Sequence, residues 1–165
     1  MDLRGHEEPS EELERLAEEQ VSDLESSEMV ERGLRGKRRR ERVADLYAAG
    51  FVRSPEDHYY AALVMLYGEE IVHFEFARRL ARTAARTGEE RAWSVIAAAW
   101  DRALLARGKA QRYGTQFVRE QGHWTLGNVE EQVTDAERAF YGVPPLWVQR
   151  QHLDAIRRRD ERSDP

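Results

Sequence analysis

Residues 108–117, GKAQRYGTQF, gather hydrogen-bonding side chains around two glycines in a chain otherwise rich in leucine and alanine. The segment suits neither a helix nor a tight turn. Gly114 permits a backbone with positive φ or the close approach of a ligand. A carboxylate, Asp101, lies a short distance upstream on a predicted helix. We predict that the loop folds back onto this helix, so that its amides, phenol and hydroxyl meet Asp101 around a shared hollow.

Two interpretations of this cluster are open at the level of sequence. In the first, the polar groups line a pocket that binds a small polar ligand or a peptide segment. In the second, Asp101 and the glutamines form hydrogen bonds to buried backbone amides of a loop that lacks the regular backbone hydrogen bonds of a helix or strand. For the first interpretation the predicted ligand-binding residues are Asp57, Tyr60, Tyr67, Asp101, Arg102, Gln111, Tyr113, Gly114, Thr115 and Gln116.

The same segment carries a resemblance to a known family. Between Asp101 and Gln116 the sequence is DRALLARGKAQRYGTQ. It resembles the DR…G…QxYGTQ core of a widespread bacterial family of small helical proteins of unknown function. The resemblance covers about residues 40–146, and it implies a helical fold without implying an activity.

One helix departs from the pattern of that family. Where this chain has residues 57–68, family members have a sequence close to DYYHAALIFQHG. Their two histidines lie on one helix face, an arrangement that suits proton transfer or metal binding. Here Tyr60 and Tyr67 replace the histidines, while Asp57 is kept. If the family acts as an enzyme through that histidine pair, the resemblance implies that this chain is a degenerate or repurposed enzyme, or that it uses tyrosine hydroxyls as ligand contacts.

Two Glu-x-x-His motifs, at Glu70 and His73 and again at Glu120 and His123, have the spacing found in di-iron helix bundles. Such a site also needs both motifs on helices, together with two further inward glutamates. The second motif lies beside Gly122 in a segment without a helical pattern, and the helix dipole alone favours acids at a helix start. A di-metal carboxylate oxidase is therefore the third alternative. We predict no metal site, and the sequence assigns no cofactor.

Composition predicts one soluble domain. The chain has 165 residues, of which 41% are hydrophobic and 35% charged, and it contains no cysteine. No apolar run approaches the roughly 18 residues that a membrane-spanning helix needs. The first residues, MDLRGHEEPS, lack the apolar core of a secretory signal, so we expect a cytoplasmic protein.

Charge is uneven near the N-terminus. Residues 1–30 contain eleven acidic residues against Arg4 and Arg15, and the run RGLRGKRRRER that follows reverses the sign. We predict that this run is a helix face beside its acidic neighbour, because a basic run without stacking aromatics is a poor nucleic-acid signature. The acidic first helix could dock a protein partner. Nucleic acid and membranes are not expected partners, and the oligomeric state is open.

Helix signals dominate the rest of the chain. Ser54 and Pro55 form a strong helix start, and Thr134 caps a short helix near the C-terminus. Single glycines separate helices of similar length, and Trp93 and Trp100 fall on one helix face that we predict to be core. The fold class predicted is an all-α, single-domain antiparallel array of five to seven helices with one irregular polar loop.

Three segments organise this array. Residues 1–40 are predicted as an acidic helix and a basic helical lead-in, residues 41–150 as the helical core that carries the loop, and residues 151–165 as a helix end and charged tail. A short hairpin is expected around Gly127 and Asn128. The segment AARTGEERAW has the small-residue pattern of stacked helix pairs, which supports an interaction scaffold of the helical-repeat type as the alternative function.

Overall fold

The computed structural model describes residues 7–163, which form seven helices and one small antiparallel sheet. The all-α prediction of five to seven helices with an irregular loop is confirmed. Residues 1–6, on which the expected absence of a signal and part of the acidic run depend, lie outside the described residues. The elements are α1 (Pro9–Asp23), α2 (Met29–Ala48), α3 (Pro55–Leu66), α4 (Ile71–Arg86), α5 (Ala92–Ala106), β1 (Val118–Glu120), β2 (His123–Thr125), α6 (Asp135–Phe140) and α7 (Leu146–Ser163).

Local sequence explains where several helices begin and end. Ser54 caps α3 through its hydroxyl, which accepts a hydrogen bond from the backbone N–H of Asp57, and Pro55 occupies the first turn. The Thr134 hydroxyl caps α6 in the same way, with the N–H of Glu137 as donor. After α5 the chain turns at Gly108, whose φ of 68° lies in the left-handed region that glycine adopts without strain.

The core lies where α3, α4 and α5 pack together, with α1 covering α3. Alanines dominate the contact and let the helix axes approach closely, while leucines and valines supply larger side chains that fill the core. The residues with no exposed surface in this core are Leu13, Val43, Ala61, Ala62, Val64, Ala77, Ala81, Ala84, Ala92 and Ala99.

The basic run on α2 supplies the counter-charges for the acidic helix α1. Arg35 forms a salt bridge to Asp23 at 2.8 Å, Arg39 also bonds Asp23, and Arg42 bonds Glu12 at 2.7 Å. Hydrogen bonds from Arg35 and Arg39 hold the pKa of Asp23 well below its usual range. The two helices thus neutralise each other along much of their contact, as the sequence interpretation of the basic run expects.

Two local expectations were wrong. The hairpin does not turn at Gly127 but at Gln121 and Gly122, which have φ values of 49° and 83° and join β1 to β2. Positive φ at both central residues matches the twist of a two-residue hairpin, which explains the position of the turn. Trp93 is not a core residue, because 38% of it is exposed. No helix among residues 7–163 is long and apolar enough to cross a membrane.

Candidate functional site

The carboxylate of Asp101 lies at the centre of the loop that follows α5. Its Oδ1 accepts the backbone N–H groups of Arg112 and Tyr113 at 2.7 and 3.0 Å, and its Oδ2 accepts the N–H and the hydroxyl of Thr115 at 2.9 and 2.7 Å. Asp101 is 0% exposed. The loop does fold back onto α5, but the four donors occupy the carboxylate and leave it facing no open hollow.

Gln111 is the second buried anchor of the loop. Its amide nitrogen donates to the carbonyl oxygens of Gln116 and Leu126 at 2.9 and 2.6 Å, and its amide oxygen accepts the N–H of Gln116 at 2.9 Å. Its backbone pairs with the segment around Val129 through an isolated parallel bridge. Gln111 therefore replaces the hydrogen-bond ladder that the irregular segment lacks.

Two side chains from the C-terminal region complete this network. Arg138 is buried and donates to the carbonyl oxygen of Tyr113 at 2.9 Å, while buried Gln149 donates to the carbonyl oxygen of Gly114 at 3.0 Å. Sequence reasoning did not identify either residue, since both lie in helices far along the chain. No motif or periodicity in the sequence marked Arg138 or Gln149 as a partner of the loop.

The ring of Tyr113 joins the loop to an aromatic cluster. Its centroid lies 4.8 Å from that of Tyr141 and 6.0 Å from that of Trp100. Burial raises the pKa of Tyr113 to about 12, and the neighbouring phenol of Tyr141 acts in the same direction. Tyr113 is 1% exposed, so its protonated phenol contributes to packing of the loop rather than to a surface that a ligand could reach.

Arg102 and Gln116 connect the loop to α3. Arg102 donates to the amide oxygen of Gln116 at 2.9 Å and to the carbonyl oxygen of Leu66 at 3.0 Å. Its guanidinium also lies 4.9 Å from the ring centroid of Tyr67. Burial lowers the pKa of Arg102. Arg102 therefore sets the position of the loop relative to Tyr67.

Asp57 and Tyr60 lie outside this network, so the expected single pocket that joins them to Asp101 is not what the structure forms. The Asp57 carboxylate accepts the N–H groups of Arg53 and Ser54 at 3.0 and 2.8 Å and caps α3. Burial opposes ionisation of Asp57, but these N–H donors outweigh it and lower its pKa. The hydroxyl of Tyr60 donates to Glu14 on α1 at 2.8 Å. The two aspartates thus serve different segments of backbone.

Two surface cavities lie beside Tyr60 and Tyr67. Their volumes are about 500 and 280 Å³, and Tyr59 and Leu63 line both. We call the pair of cavities the tyrosine groove. Tyr60 lines the larger cavity with α1, and Tyr67 lines the smaller one with α5. Other residues that line it are Glu14, Glu18, Arg91, Val95, Ala98, Thr115 and Gln149.

The charged groups of the tyrosine groove are one paired arginine, Arg91, and two glutamates of α1, Glu14 and Glu18, which form no salt bridge within residues 7–163. Arg91 forms a salt bridge to Glu89 at 2.7 Å, and its guanidinium lies 4.4 Å from the ring centroid of Tyr59. The hydroxyls of Tyr59 and Tyr67 have no hydrogen-bond partner within residues 7–163. Burial raises the pKa of Tyr59, so this hydroxyl is a neutral donor at physiological pH.

The two Glu-x-x-His motifs do not form a metal centre. His73 accepts the N–H groups of Glu69 and Glu70 through Nδ1, both at 3.2 Å, and so caps the start of α4. Glu120 and His123 face each other across the hairpin instead of sharing a helix. In the described part of the chain no three His, Asp or Glu side chains come close enough to hold a metal ion.

Comparisons with known proteins assign no relative to this architecture: no protein-family model matches the chain, and neither does any curated protein or solved structure.

Proposed function

We propose that the protein binds a small polar ligand in the tyrosine groove. The observation that supports this proposal best is the pair of hydroxyls on Tyr59 and Tyr67, which both line the smaller cavity and have no hydrogen-bond partner within residues 7–163. A half-buried phenol normally finds such a partner. A ligand that accepts hydrogen bonds from both phenols would supply it.

The surroundings disfavour an anionic ligand. Arg91 is neutralised by Glu89, whereas no cation among the described residues is paired with Glu14, which accepts the hydroxyl of Tyr60, or with Glu18. Between the two phenols the wall is apolar, with Leu63 and Ala98 in the smaller cavity. We therefore expect a neutral molecule, or a peptide segment, with two hydrogen-bond acceptors separated by an apolar body.

Binding without catalysis agrees best with the residue types. In the family that this chain resembles, histidines stand at the positions of Tyr60 and Tyr67, whereas a phenol titrates far above neutral pH. We propose that the groove has a binding role and that neither tyrosine acts as a general base in it. Activity assays on the double change Tyr60→His and Tyr67→His test whether the two tyrosines stand in place of catalytic histidines. If the unaltered protein itself turned over the ligand, the proposal of binding alone would be wrong.

A thermal-shift screen against neutral polar metabolites tests the binding proposal. A true ligand should raise the melting temperature of the unaltered protein, and the double change Tyr59→Phe and Tyr67→Phe should remove that rise. Tyr47→Phe is the matched control, because Tyr47 is half-exposed and packs against Phe76 outside the groove. A ligand that stabilises all three proteins equally would place the binding site elsewhere.

The interaction scaffold remains a second candidate because of an apolar surface between α2 and α4. Val30, Leu34 and Val72 are 72%, 54% and 61% exposed beside a cavity of about 680 Å³. Such a surface suits association with another protein or a second copy. Sedimentation over a range of concentrations tests self-association: the unaltered chain should associate and the double change Leu34→Ser and Val72→Ser should not. Monomers in both proteins would exclude a second copy as the partner.

A further inference from the structure

A second groove, which shares no residue with the tyrosine groove, lies between α4 and α5. Three arginines follow one another at four-residue intervals along α4 and therefore share a helix face. Two tryptophans of α5 and one tyrosine from the segment after α6 form the opposite wall. The cavity encloses about 330 Å³. We call it the arginine–tryptophan groove, and its defining residues are Arg78, Arg82, Arg86, Trp93, Trp100 and Tyr141.

The positive charge in this groove is largely uncompensated. Arg82 and Arg86 are exposed, and neither forms an ion pair with an acidic side chain of residues 7–163. The carboxylate nearest to Arg78 is Glu75 at 3.8 Å, and Glu75 lies closer to Arg107, at 3.1 Å. On α2, by contrast, Arg35, Arg39 and Arg42 are paired with acidic residues of α1. A net-acidic protein thus keeps a local row of cations that is free to meet an anion.

The aromatic wall has one covered ring and one open ring. The guanidinium of Arg78 lies 3.8 Å from the ring centroid of Trp100 and so occupies its face. Trp93 is held by an edge contact to Tyr141, with centroids 6.0 Å apart and ring planes at 73°. Trp93 is nevertheless 38% exposed. Its position is thus fixed by a neighbour while part of its surface is left open to solvent.

We propose that the arginine–tryptophan groove binds a ligand that combines a planar ring with a phosphate group, namely a mononucleotide. The ring of the base stacks on Trp93, a contact that tolerates any of the bases because each has a π face. The phosphate lies against Arg82 and Arg86, whose planar guanidinium groups match phosphate oxygens in geometry and charge. A cavity of about 330 Å³ is at the small end for ligand sites, which favours a single nucleotide over a longer chain.

This inference does not depend on the proposed function of the tyrosine groove, because the two grooves have separate walls and opposite ligand chemistry. The tyrosine groove offers neutral donors, whereas the arginine–tryptophan groove offers fixed positive charge and an open ring. Either site can fail its test while the other passes.

Titration calorimetry on the full chain with AMP, GMP, CMP and UMP tests the proposal. We expect nucleotide binding, with adenosine alone and inorganic phosphate alone each at least about tenfold weaker than AMP, because each makes only half of the contacts. The double change Arg82→Ala and Arg86→Ala should weaken AMP at least about tenfold, and Trp93→Ala should do the same, with recovery in Trp93→Phe. The matched control is Lys37→Ala with Arg38→Ala, which removes the same charge from α2 and should leave affinity within about twofold.

Three outcomes would overturn the proposal. One is that none of the four nucleotides binds at concentrations up to about 1 mM. A second is unchanged AMP affinity after loss of Arg82 and Arg86, which are exposed and can be replaced without unfolding the chain. The third is binding of a single-stranded oligonucleotide with none of the mononucleotides, since that would indicate a nucleic-acid surface instead.

Discussion

Thr115 contacts the carboxylate of Asp101 twice, through its backbone N–H at 2.9 Å and its hydroxyl at 2.7 Å from Oδ2. The opposite oxygen holds the N–H groups of Arg112 and Tyr113. One buried side chain on α5 thus replaces the backbone ladder that a strand would have provided. This arrangement corresponds to the structural interpretation of the QRYGTQ segment, and it makes Asp101 an anchor of the loop.

Replacing Asp101 by asparagine should therefore destabilise the protein. The amide keeps the shape of the carboxylate but turns one acceptor into a donor that faces backbone N–H groups. We expect the free energy of unfolding to fall by about 2–4 kcal/mol, since hydrogen bonds to charged groups contribute about 1.5–3 kcal/mol each and buried donors lose their partner. Urea denaturation followed by circular dichroism measures the change.

Asp45→Asn is the matched control for that measurement. Asp45 is exposed on α2, so its replacement should change the free energy of unfolding by less than about 0.5 kcal/mol. If Asp101→Asn were as mild as this control, the carboxylate would not hold the loop, and its burial would need another explanation.

Gly68 has no room for a side chain. A Cβ at this position would lie 2.4 Å from the Cβ of His73, an atom that cannot move without shifting the start of α4. We expect Gly68→Ala to reduce the free energy of unfolding by about 1–3 kcal/mol, the usual cost of overpacking. Thermal and urea unfolding check the effect.

Gly33 provides the opposite case. It lies inside α2, and the nearest atom to a Cβ there is 4.0 Å away. Gly33→Ala should stabilise the protein by up to about 1 kcal/mol, because alanine has the higher helix propensity. Equal effects of the two substitutions would show that the close contact between Gly68 and His73 is absent in solution.

The neighbouring arginines Arg39 and Arg38 have opposite environments on α2. Arg39 is 6% exposed, donates to the buried amide oxygen of Gln20 at 3.1 Å and also bonds Asp23. Arg39→Met should reduce the free energy of unfolding by about 1–3 kcal/mol, because Gln20 loses its partner while Asp23 keeps Arg35. Arg38 is exposed, so Arg38→Met should change the free energy of unfolding by less than about 0.5 kcal/mol. Similar effects in both variants would mean that α1 and α2 are held by general charge attraction.

The helices were predictable because their signals are local. The capping residues Ser54 and Thr134 set helix starts that the structure confirms, and the opposite charges of α1 and α2 predicted their pairing. The return of the loop onto Asp101 also followed from its concentration of hydrogen-bonding groups. In each case the residues that decide the structure lie in one short stretch or carry strong charge.

The remaining features depend on contacts between distant segments. Arg138 and Gln149 donate hydrogen bonds to carbonyl oxygens that lie 25 and 35 residues earlier in the chain. The local periodicity of a sequence does not indicate contacts over such distances. Helical spacing placed Trp93 and Trp100 on one face, but it could not show that α4 faces them with arginines. The tyrosine groove was missed for the same reason, since Tyr59 was not singled out and the opposite walls come from α1 and α5.

His73 should make stability depend on pH near the start of α4. Its Nδ1 accepts the N–H groups of Glu69 and Glu70, and a proton on that nitrogen would remove the acceptor. Burial lowers the pKa of His73, and the positive charge of Arg40 acts in the same direction. Between the lowered folded pKa and the ordinary value of about 6.5 the unfolded chain binds more protons. The contribution is therefore fully present above about pH 6.5 and is lost as the pH falls through the folded pKa.

Comparison with His73→Asn isolates this effect, because asparagine offers a neutral acceptor that does not titrate. The unfolding free energies of both proteins are measured from about pH 8 to about pH 5. Asp23 and Asp57 are present in both proteins, so their effects on stability cancel in the comparison. The unaltered protein should lose more stability on acidification than the variant. Parallel pH profiles would show that His73 is already free to take up a proton in the folded chain, and that Nδ1 does not hold the first turn of α4.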